Sequence, residues 1–210
     1  MKVNKKSISI FIIWLVHISG LLGMLFYDLD FFAGYTSVNL TLMSIILFFN
    51  FKLNSIHQIL SVLSIFLIGM ITEILGVNYG LIFGDYEYGN NLGSKLFGVP
   101  FLIGINWVIL TAISANIAFF LTKNKSVLST VFIGALLMLV MDFVMEPVAP
   151  KLDMWRFENL IVPTSNYIGW LIIGLLTQMI YNLLFREKET IVSINLYAAF
   201  FLFFTFLNLI

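Results

Sequence analysis

Seven apolar segments, each long enough to cross a lipid bilayer as a helix, constrain this chain more than any other feature of its sequence. A transmembrane helix needs about 20 mostly apolar residues, because the hydrocarbon core of a bilayer is about 30 Å thick. The candidate spans are residues 8–26, 31–51, 56–78, 99–121, 127–146, 165–185 and 191–210. Helices are favoured over a β-barrel because the sequence lacks repeated segments of alternating polarity. The sequence therefore predicts an all-α, polytopic transmembrane helix bundle that forms one integral membrane domain over residues 1–210.

Charged residues are too scarce for a water-soluble fold of this size. They make up 10% of the chain, whereas hydrophobic residues make up 60%. A typical soluble domain is about one quarter charged, so a soluble globular enzyme is excluded. The formal net charge of zero also removes the basic surface that nucleic-acid binding needs. The chain has no cysteine, which excludes disulfides, thiol catalysis and cysteine-based metal sites.

The distribution of lysine and arginine predicts how the spans are oriented. With seven spans and a cytoplasmic N-terminus, the cytoplasmic side receives Lys2, Lys5, Lys6, Lys52, Lys123, Lys125, Arg186 and Lys188. The outer side then receives only Lys95, Lys151 and Arg156. In membrane proteins, cytoplasmic loops carry an excess of lysine and arginine. If the weakly apolar second span were not counted as a span, the eleven cations would divide almost equally between the two sides of the membrane. We therefore expect a multi-pass protein of the cell membrane with its C-terminus outside.

Two acidic residues, Glu73 and Asp142, lie inside predicted spans, where an ionisable side chain is costly and calls for a partner or a function. Asp142 and Glu146 are four residues apart, which places both carboxyl groups on one helix face. In a poorly solvated pocket, repulsion should keep a proton on one of them. Two structural alternatives stay open. Glu146 could end its helix in contact with water, and Glu73 could form an ion pair with Arg156 or Lys95.

The segment after the third span, residues 78–89, alternates aromatic residues with glycines. Such rings could form an interfacial belt or a lid that lines a pocket. Gly76 and Gly80 could allow a neighbouring backbone to approach the third helix closely. Electron-rich rings near a pocket would also stabilise a cation.

Residues 70–172, about half of the chain, contain a series of short motifs. They are Glu73-Ile-Leu-Gly76, Phe83-Gly84-x-Tyr86-x-Tyr88, Gly98-Val99-Pro100, Trp107, Asp142-x-x-x-Glu146-Pro147, Trp155 and Val162-Pro163-x-x-Asn166-x-x-Gly169-Trp170. In their order and spacing, these motifs resemble the carotenoid hydratase family. This family includes the γ-carotene 1',2'-hydratases and the bisanhydrobacterioruberin hydratases. The resemblance implies an enzyme of carotenoid biosynthesis, a hydro-lyase that adds water across the terminal double bond of an acyclic carotenoid end group.

That reaction requires a neutral carboxylic acid, because an alkene is a weak base and must be protonated to a tertiary cation before water captures it. We predict Glu73, Asp142 and Glu146 as catalytic residues, without deciding which of them is the acid. The predicted substrate- and cation-binding residues are Asp85, Tyr86, Tyr88, Trp155 and Asn166. No redox cofactor or metal is expected. The expected partners are a lipophilic carotenoid, the lipid bilayer and other enzymes of carotenoid biosynthesis.

Three other functions stay open. A lycopene-cyclase-like enzyme would use the same protonation, but a substrate double bond would capture the cation. A transporter or channel would need ionisable groups on both sides of the membrane midplane, whereas the inner halves of these spans are nearly uncharged. A carotenoid-binding protein would leave the pigment chemically unchanged.

Overall fold

The computed structural model contains seven helical segments that are long and apolar enough to cross a membrane, which confirms the predicted all-α polytopic bundle. It describes residues 4–51, 53–123, 126–185 and 188–209. The helices are α1 (Lys5–Phe26), α2 (Leu29–Ala33), α3 (Thr36–Asn50), α4 (Ile56–Tyr79), α5 (Phe101–Thr122), α6 (Val127–Met145), α7 (Thr164–Leu184) and α8 (Thr190–Asn208). Four cations of the orientation argument, Lys2, Lys52, Lys125 and Arg186, lie outside the described residues, and so does Ile210. The orientation of the termini stays a prediction.

The second span is divided into α2 and α3, whereas the sequence predicted one continuous segment over residues 31–51. Helix α2 begins at an Asp28 cap, whose carboxylate accepts a hydrogen bond of 2.8 Å from the Phe31 N–H. The break follows Ala33. In the first turn of α3, the Ser37 N–H donates to the backbone carbonyl of Asn91, in a distant loop, at 3.1 Å. A tertiary hydrogen bond of this kind replaces one bond of the helical ladder, and hydropathy cannot reveal it.

The ends of α4 are set by local sequence signals. A capping box at its start pairs Ser55 with Gln58, because each side chain accepts from the other residue's backbone. At its end, Gly80 adopts φ +65°, and its N–H donates to the Gly76 carbonyl at 2.8 Å. This left-handed conformation is available to glycine at little cost. Gly80 therefore terminates the helix, and the expectation that it admits a neighbouring backbone was wrong.

Helix α5 lies at the centre of the bundle. Its most apolar 18-residue stretch is 78% buried, against 22–44% for the other six spans. Polar side chains connect α5 to its neighbours. Thr111 hydrogen-bonds Thr177 of α7 at 3.2 Å, and Asn116 donates to Ser193 of α8 at 2.9 Å. Interhelical hydrogen bonds of this kind stabilise helix packing where water is absent.

Two short antiparallel ribbons form at the end of the bundle where α4 and α6 end and α5 and α7 begin. Strand β1 (Tyr86–Tyr88) pairs with β4 (Trp155–Phe157), and β2 (Lys95–Leu96) pairs with β3 (Val99–Pro100). In the first ribbon, side chains alternate between the two faces. The aromatic residues are buried, whereas the Glu87 and Arg156 side chains form an exposed ion pair with an N–O distance of 2.5 Å. Strands β1 and β4 both lie between predicted spans, and the sequence analysis did not predict their pairing.

The interface between α6 and α7 provides a matched test of helix packing. A Cβ atom at Gly134 would overlap the Gln178 side chain, which is fully buried and held by a hydrogen bond of 2.9 Å to the Thr111 carbonyl. A Cβ atom at Gly174 would meet Ala135 Cβ at 3.5 Å, an ordinary contact. We expect Gly134→Ala to lower the free energy of unfolding by about 1–3 kcal/mol through overpacking.

Gly174→Ala is the control, because it makes the same chemical change on the neighbouring helix without a clash. Thermal unfolding of both variants in detergent micelles measures the difference. Equal midpoints for the two variants would contradict this description of the interface.

Candidate active site

The carboxyl group of Glu73, near the end of α4, accepts hydrogen bonds from three side chains. Oε1 accepts from Trp107 Nε1 at 2.9 Å, whereas Oε2 accepts from the hydroxyl groups of Tyr86 and Tyr88, the latter at 2.7 Å. Glu73 is only 4% exposed. Three donors around one carboxyl group favour its ionised form. The site thus surrounds a buried carboxyl group with three neutral donors.

The structural alternative, in which Glu73 forms an ion pair with Arg156 or Lys95, was wrong. Arg156 lies on the outer face of its ribbon and binds Glu87. Lys95 donates instead to the backbone carbonyl of Tyr88 at 2.6 Å. Neither cation neutralises the buried carboxyl group.

Two glycines of α4 make room for the donors around Glu73. A Cβ atom at Gly69 would lie 2.6 Å from Trp107 Cγ, and one at Gly76 would lie 2.7 Å from the Tyr86 hydroxyl oxygen. Any larger residue would displace a ring that hydrogen-bonds Glu73. The expectation that Gly76 admits a neighbouring backbone was therefore wrong, since the group that approaches it is a side chain.

A second carboxyl cluster is formed by Asp142 of α6 and Glu146, which immediately follows this helix. The amide nitrogen of Asn166 donates to both, to Asp142 Oδ2 at 2.9 Å and to Glu146 Oε1 at 3.0 Å. Glu146 Oε2 also accepts from Trp155 Nε1 at 3.1 Å. Asp142 is fully buried and Glu146 is 4% exposed. The alternative in which Glu146 meets water at the interface was wrong.

The hydrogen-bond donors are divided unequally between these two carboxyl groups. Both oxygens of Glu146 accept a hydrogen bond, whereas Asp142 Oδ1 is buried without a partner among the described residues. Burial raises the pKa of Glu146 to about 7. Two carboxylates bridged by one amide nitrogen repel each other strongly when both are ionised. We therefore expect the pair to share one proton, with Asp142 as the carboxyl group that carries it.

The tyrosines beside Glu73 stay neutral. Burial, together with the negative charge of Glu73, raises the pKa of Tyr86 and of Tyr88 well above the ordinary range. Both phenols therefore donate to Glu73 as neutral hydroxyl groups at physiological pH.

A small cavity of about 20 Å³ separates the two clusters. Such a volume holds roughly one water molecule. Most of its wall is aromatic and includes Trp107 and Trp170, which stack with their ring centres 4.3 Å apart. The complete lining is Glu73, Phe83, Tyr86, Tyr88, Ile103, Asn106, Trp107, Asp142, Glu146, Trp155, Phe157, Asn166 and Trp170. The arrangement combines a pair of adjacent carboxyl groups, a third carboxyl group held by three donors, and aromatic faces around a space for about one water molecule.

A second cavity of about 450 Å³ adjoins the first and is mostly apolar. The two cavities share three lining residues, Ile103, Asn106 and Trp155. Helices α1, α3 and α8 provide most of its remaining wall. We call this cavity the apolar groove and the smaller one the carboxyl pocket.

The carboxyl pocket brings together seven of the eight site residues predicted from sequence. They are Glu73, Tyr86, Tyr88, Asp142, Glu146, Trp155 and Asn166. The eighth, Asp85, has an exposed side chain and does not line the pocket. The sequence analysis did not assign Asn106, Phe157 or Phe83 to the site. Phe157 could have been inferred from the alternation of Trp155, Arg156 and Phe157, and Asn106 from its amide inside an apolar span.

Comparison with known proteins supports a role in carotenoid metabolism. The model of a family described as "Carotenoid biosynthesis protein" matches residues 31–210. A segment of 116 residues is 31% identical to the bisanhydrobacterioruberin hydratase of Haloarcula japonica. That match covers 52% of this chain and 40% of the relative, so the similarity spans less than half of that protein. No solved structure shows a significant match.

Infrared spectroscopy can test the unequal protonation of the three carboxyl groups. We expect the C=O stretch of a protonated carboxylic acid at neutral pH in the unmodified protein, reconstituted in lipid nanodiscs. Asp142→Asn should remove the part of this band that persists near pH 9, where Glu146, with a pKa of about 7, is ionised. Glu73→Gln should retain it. The exposed Asp30, changed to Asn, serves as the control. A band that disappears in Glu73→Gln and persists in Asp142→Asn would reverse the assignment.

Proposed function

Because this chain belongs to the carotenoid biosynthesis protein family, we propose that it is a membrane enzyme that adds water to the terminal double bond of an acyclic carotenoid end group. The observation that carries the proposal is the carboxyl pocket, in which the Asp142–Glu146 pair lines a water-sized space together with Glu73. The name of the Haloarcula relative supports a hydration reaction. We place the protein in the cell membrane, with a carotenoid dissolved in the bilayer as its substrate.

In the first step, Asp142 donates a proton to the less substituted carbon of the terminal double bond. A carboxylic acid can protonate an alkene only if it stays neutral until the alkene arrives. The absence of a donor to Asp142 Oδ1 among the described residues supports this role. The electron pair of the double bond forms the new C–H bond, and a tertiary cation remains on the neighbouring carbon.

The second requirement is stabilisation of that cation. Glu73 supplies a negative charge that its three donors hold in a fixed position. The faces of Tyr86, Tyr88 and Trp155 stabilise positive charge through their ring quadrupoles and limit the access of bulk water. Charges and dipoles that are already oriented before the reaction reorganise little when the cation forms.

In the last step, a water molecule attacks the cation and forms the C–O bond. The excess proton of the bound water returns to the Asp142–Glu146 pair, which restores the starting state of the enzyme. Asn166 maintains the geometry of the pair, because its amide nitrogen bonds both carboxyl groups. The sum of the steps is the addition of one water molecule without net oxidation or reduction.

The apolar groove supports the choice of an extended lipophilic substrate. It adjoins the carboxyl pocket, with which it shares Ile103, Asn106 and Trp155 as lining residues. Its volume lies within the range of ordinary ligand sites. A polyene chain in the groove would direct its end group toward the carboxyl groups while the remainder of the chain stays in lipid.

Isotopically labelled water separates hydration from cyclisation, which begins with the same protonation. We expect a product from lycopene or γ-carotene that carries heavy oxygen when the membranes are incubated in ¹⁸O-labelled water. A cyclised product would retain the mass of the substrate. Unlabelled pigment of unchanged mass would contradict hydration.

Amide substitutions test the proposed roles of the acids. In a bacterium that accumulates lycopene or γ-carotene, Asp142→Asn should lower the yield of hydroxylated pigment at least about 100-fold, the scale of a lost general acid. Glu73→Gln should lower it about 100-fold as well, the scale of a lost electrostatic contact to the transition state. Pigment analysis by chromatography and mass spectrometry measures the yield, and immunoblotting of membranes measures the amount of protein.

Two exposed acids provide matched controls, Glu87→Gln on the outer face of β1 and Asp30→Asn on α2. Both should retain the unmodified yield, because neither side chain lines the carboxyl pocket. Full activity of Asp142→Asn would refute the proposed proton donor, whereas full activity of Glu73→Gln would refute the proposed counterion.

A further inference from the structure

Asn106 of α5 lies where the carboxyl pocket adjoins the apolar groove, and it lines both cavities. The residue is only 8% exposed, so its carboxamide is withdrawn from bulk solvent. Its side chain makes no hydrogen bond to the described residues, and its polar atoms retain accessible surface, unlike the fully enclosed Asp142 Oδ1. The carboxamide of Asn106 is therefore within reach of a molecule that enters these cavities.

A carboxamide that bonds no other part of the bundle is costly to bury, and native structures usually provide a partner. Asn116, on the same helix, donates to Ser193 at 2.9 Å and accepts from the Tyr181 hydroxyl at 3.2 Å. Asn166, in the carboxyl pocket, donates to both carboxyl groups of the pair. The described part of the chain offers Asn106 no such partner, which indicates that its partner is a bound molecule.

Helix α5 holds Asn106 in a fixed position between the two cavities. Ile103 and Asn106 are three residues apart, so they share one helix face, and both contribute to both linings. The next residue, Trp107, is 1% exposed and donates to Glu73 at 2.9 Å. A polar group on such a rigid, buried element binds a small molecule in one defined place.

The chemistry of the proposed reaction identifies this small molecule as water. The end group of the proposed substrate is a hydrocarbon, which neither donates nor accepts hydrogen bonds, so water is the reactant that a carboxamide can bind. The carboxyl pocket, at about 20 Å³, has room for roughly one water molecule. A carboxamide oxygen accepts a hydrogen bond from water, and so does a carboxylate.

We propose that Asn106 holds the attacking water, because its side-chain oxygen accepts one hydrogen of that molecule while the Asp142–Glu146 pair accepts the other. With both hydrogens bound, a lone pair of the water oxygen faces the cation and forms the C–O bond. The second hydrogen then passes to the pair as a proton. The inference rests on the proposed function and adds the residue that decides the fate of the cation. Without the held water, the cation returns a proton from carbon to the pair and becomes an alkene again.

Deuterium oxide makes both fates of the cation measurable in one experiment. Membranes that contain the full-length protein are incubated with lycopene in deuterium oxide, so that the pair delivers deuterium to the alkene. Capture by water gives a hydroxylated pigment, whereas loss of a hydrogen from carbon gives a hydrocarbon with one carbon-bound deuterium. We expect Asn106→Leu to raise the ratio of deuterated hydrocarbon to hydroxylated pigment about tenfold, the effect of one lost hydrogen bond. Mass spectrometry of the extracted pigments measures this ratio.

Matched variants distinguish a lost acceptor from a general disturbance. Asn106→Asp keeps an oxygen at the position of Oδ1, so its product ratio should stay close to that of the unmodified protein. Asn116→Leu makes the same chemical change elsewhere on α5, at a residue that lines neither cavity. It should lower the midpoint of thermal unfolding, because it removes hydrogen bonds inside the bundle, but it should leave the product ratio unchanged. Asn106→Leu should keep its midpoint, and Asn106→Val provides the same test if leucine does not fit.

An unchanged product ratio in Asn106→Leu, or a ratio in Asn106→Asp as high as in Asn106→Leu, would overturn the inference. Failure of the proposed function gives a different result, because the unmodified protein would then form no hydroxylated pigment. The inference alone fails if the unmodified protein hydrates lycopene and Asn106→Leu gives the same product ratio.

Discussion

The removal of three carboxyl groups from water is the constraint on which the architecture of the site depends. A carboxylate buried among apolar helices must receive hydrogen bonds or keep its proton. Among the residues that the structure describes, Glu73 receives three donors, Glu146 receives two, and Asp142 receives one. These hydrogen bonds lower the cost of burying the carboxyl groups. Because the number of donors differs, the three groups also differ in how strongly they favour the ionised form. In the proposed reaction, the best-supplied group is the counterion and the least-supplied group is the acid.

The donors come from segments that are far apart in sequence, and the first ribbon is what brings them together. Strand pairing aligns Tyr88 with Trp155, so that one strand supplies donors to Glu73 and the other supplies a donor to Glu146. Alternation along each strand turns these aromatic side chains toward the bundle and leaves Glu87 and Arg156 outside. The ribbon thereby closes one end of the pocket with aromatic rings.

The sequence alone predicted those features that depend on residues close together in the chain. Apolar length predicted the seven spans, and the spacing of Asp142 and Glu146 predicted two carboxyl groups on one helix face. Family resemblance extended the site to Tyr86, Tyr88, Trp155 and Asn166. Properties that depend on distant contacts could not be derived in the same way. The break between α2 and α3 depends on Asn91, and the environment of Glu73 depends on Trp107 and on a ribbon whose strands are widely separated in the chain.

The distribution of polar and apolar wall between the two cavities favours hydration over cyclisation in the proposed reaction. Cyclisation requires the end group to fold back so that a second double bond reaches the cation, whereas hydration requires only a water molecule beside the terminal carbons. The carboxyl pocket offers about 20 Å³ beside its acids, and the larger space of about 450 Å³ lies in the adjoining apolar groove. A chain that stays extended in the groove places its end group where the two cavities meet, at Ile103, Asn106 and Trp155, and leaves the carboxyl pocket to the water. Under that geometry, a water molecule held by the polar wall reaches the cation more readily than the substrate's own next double bond does.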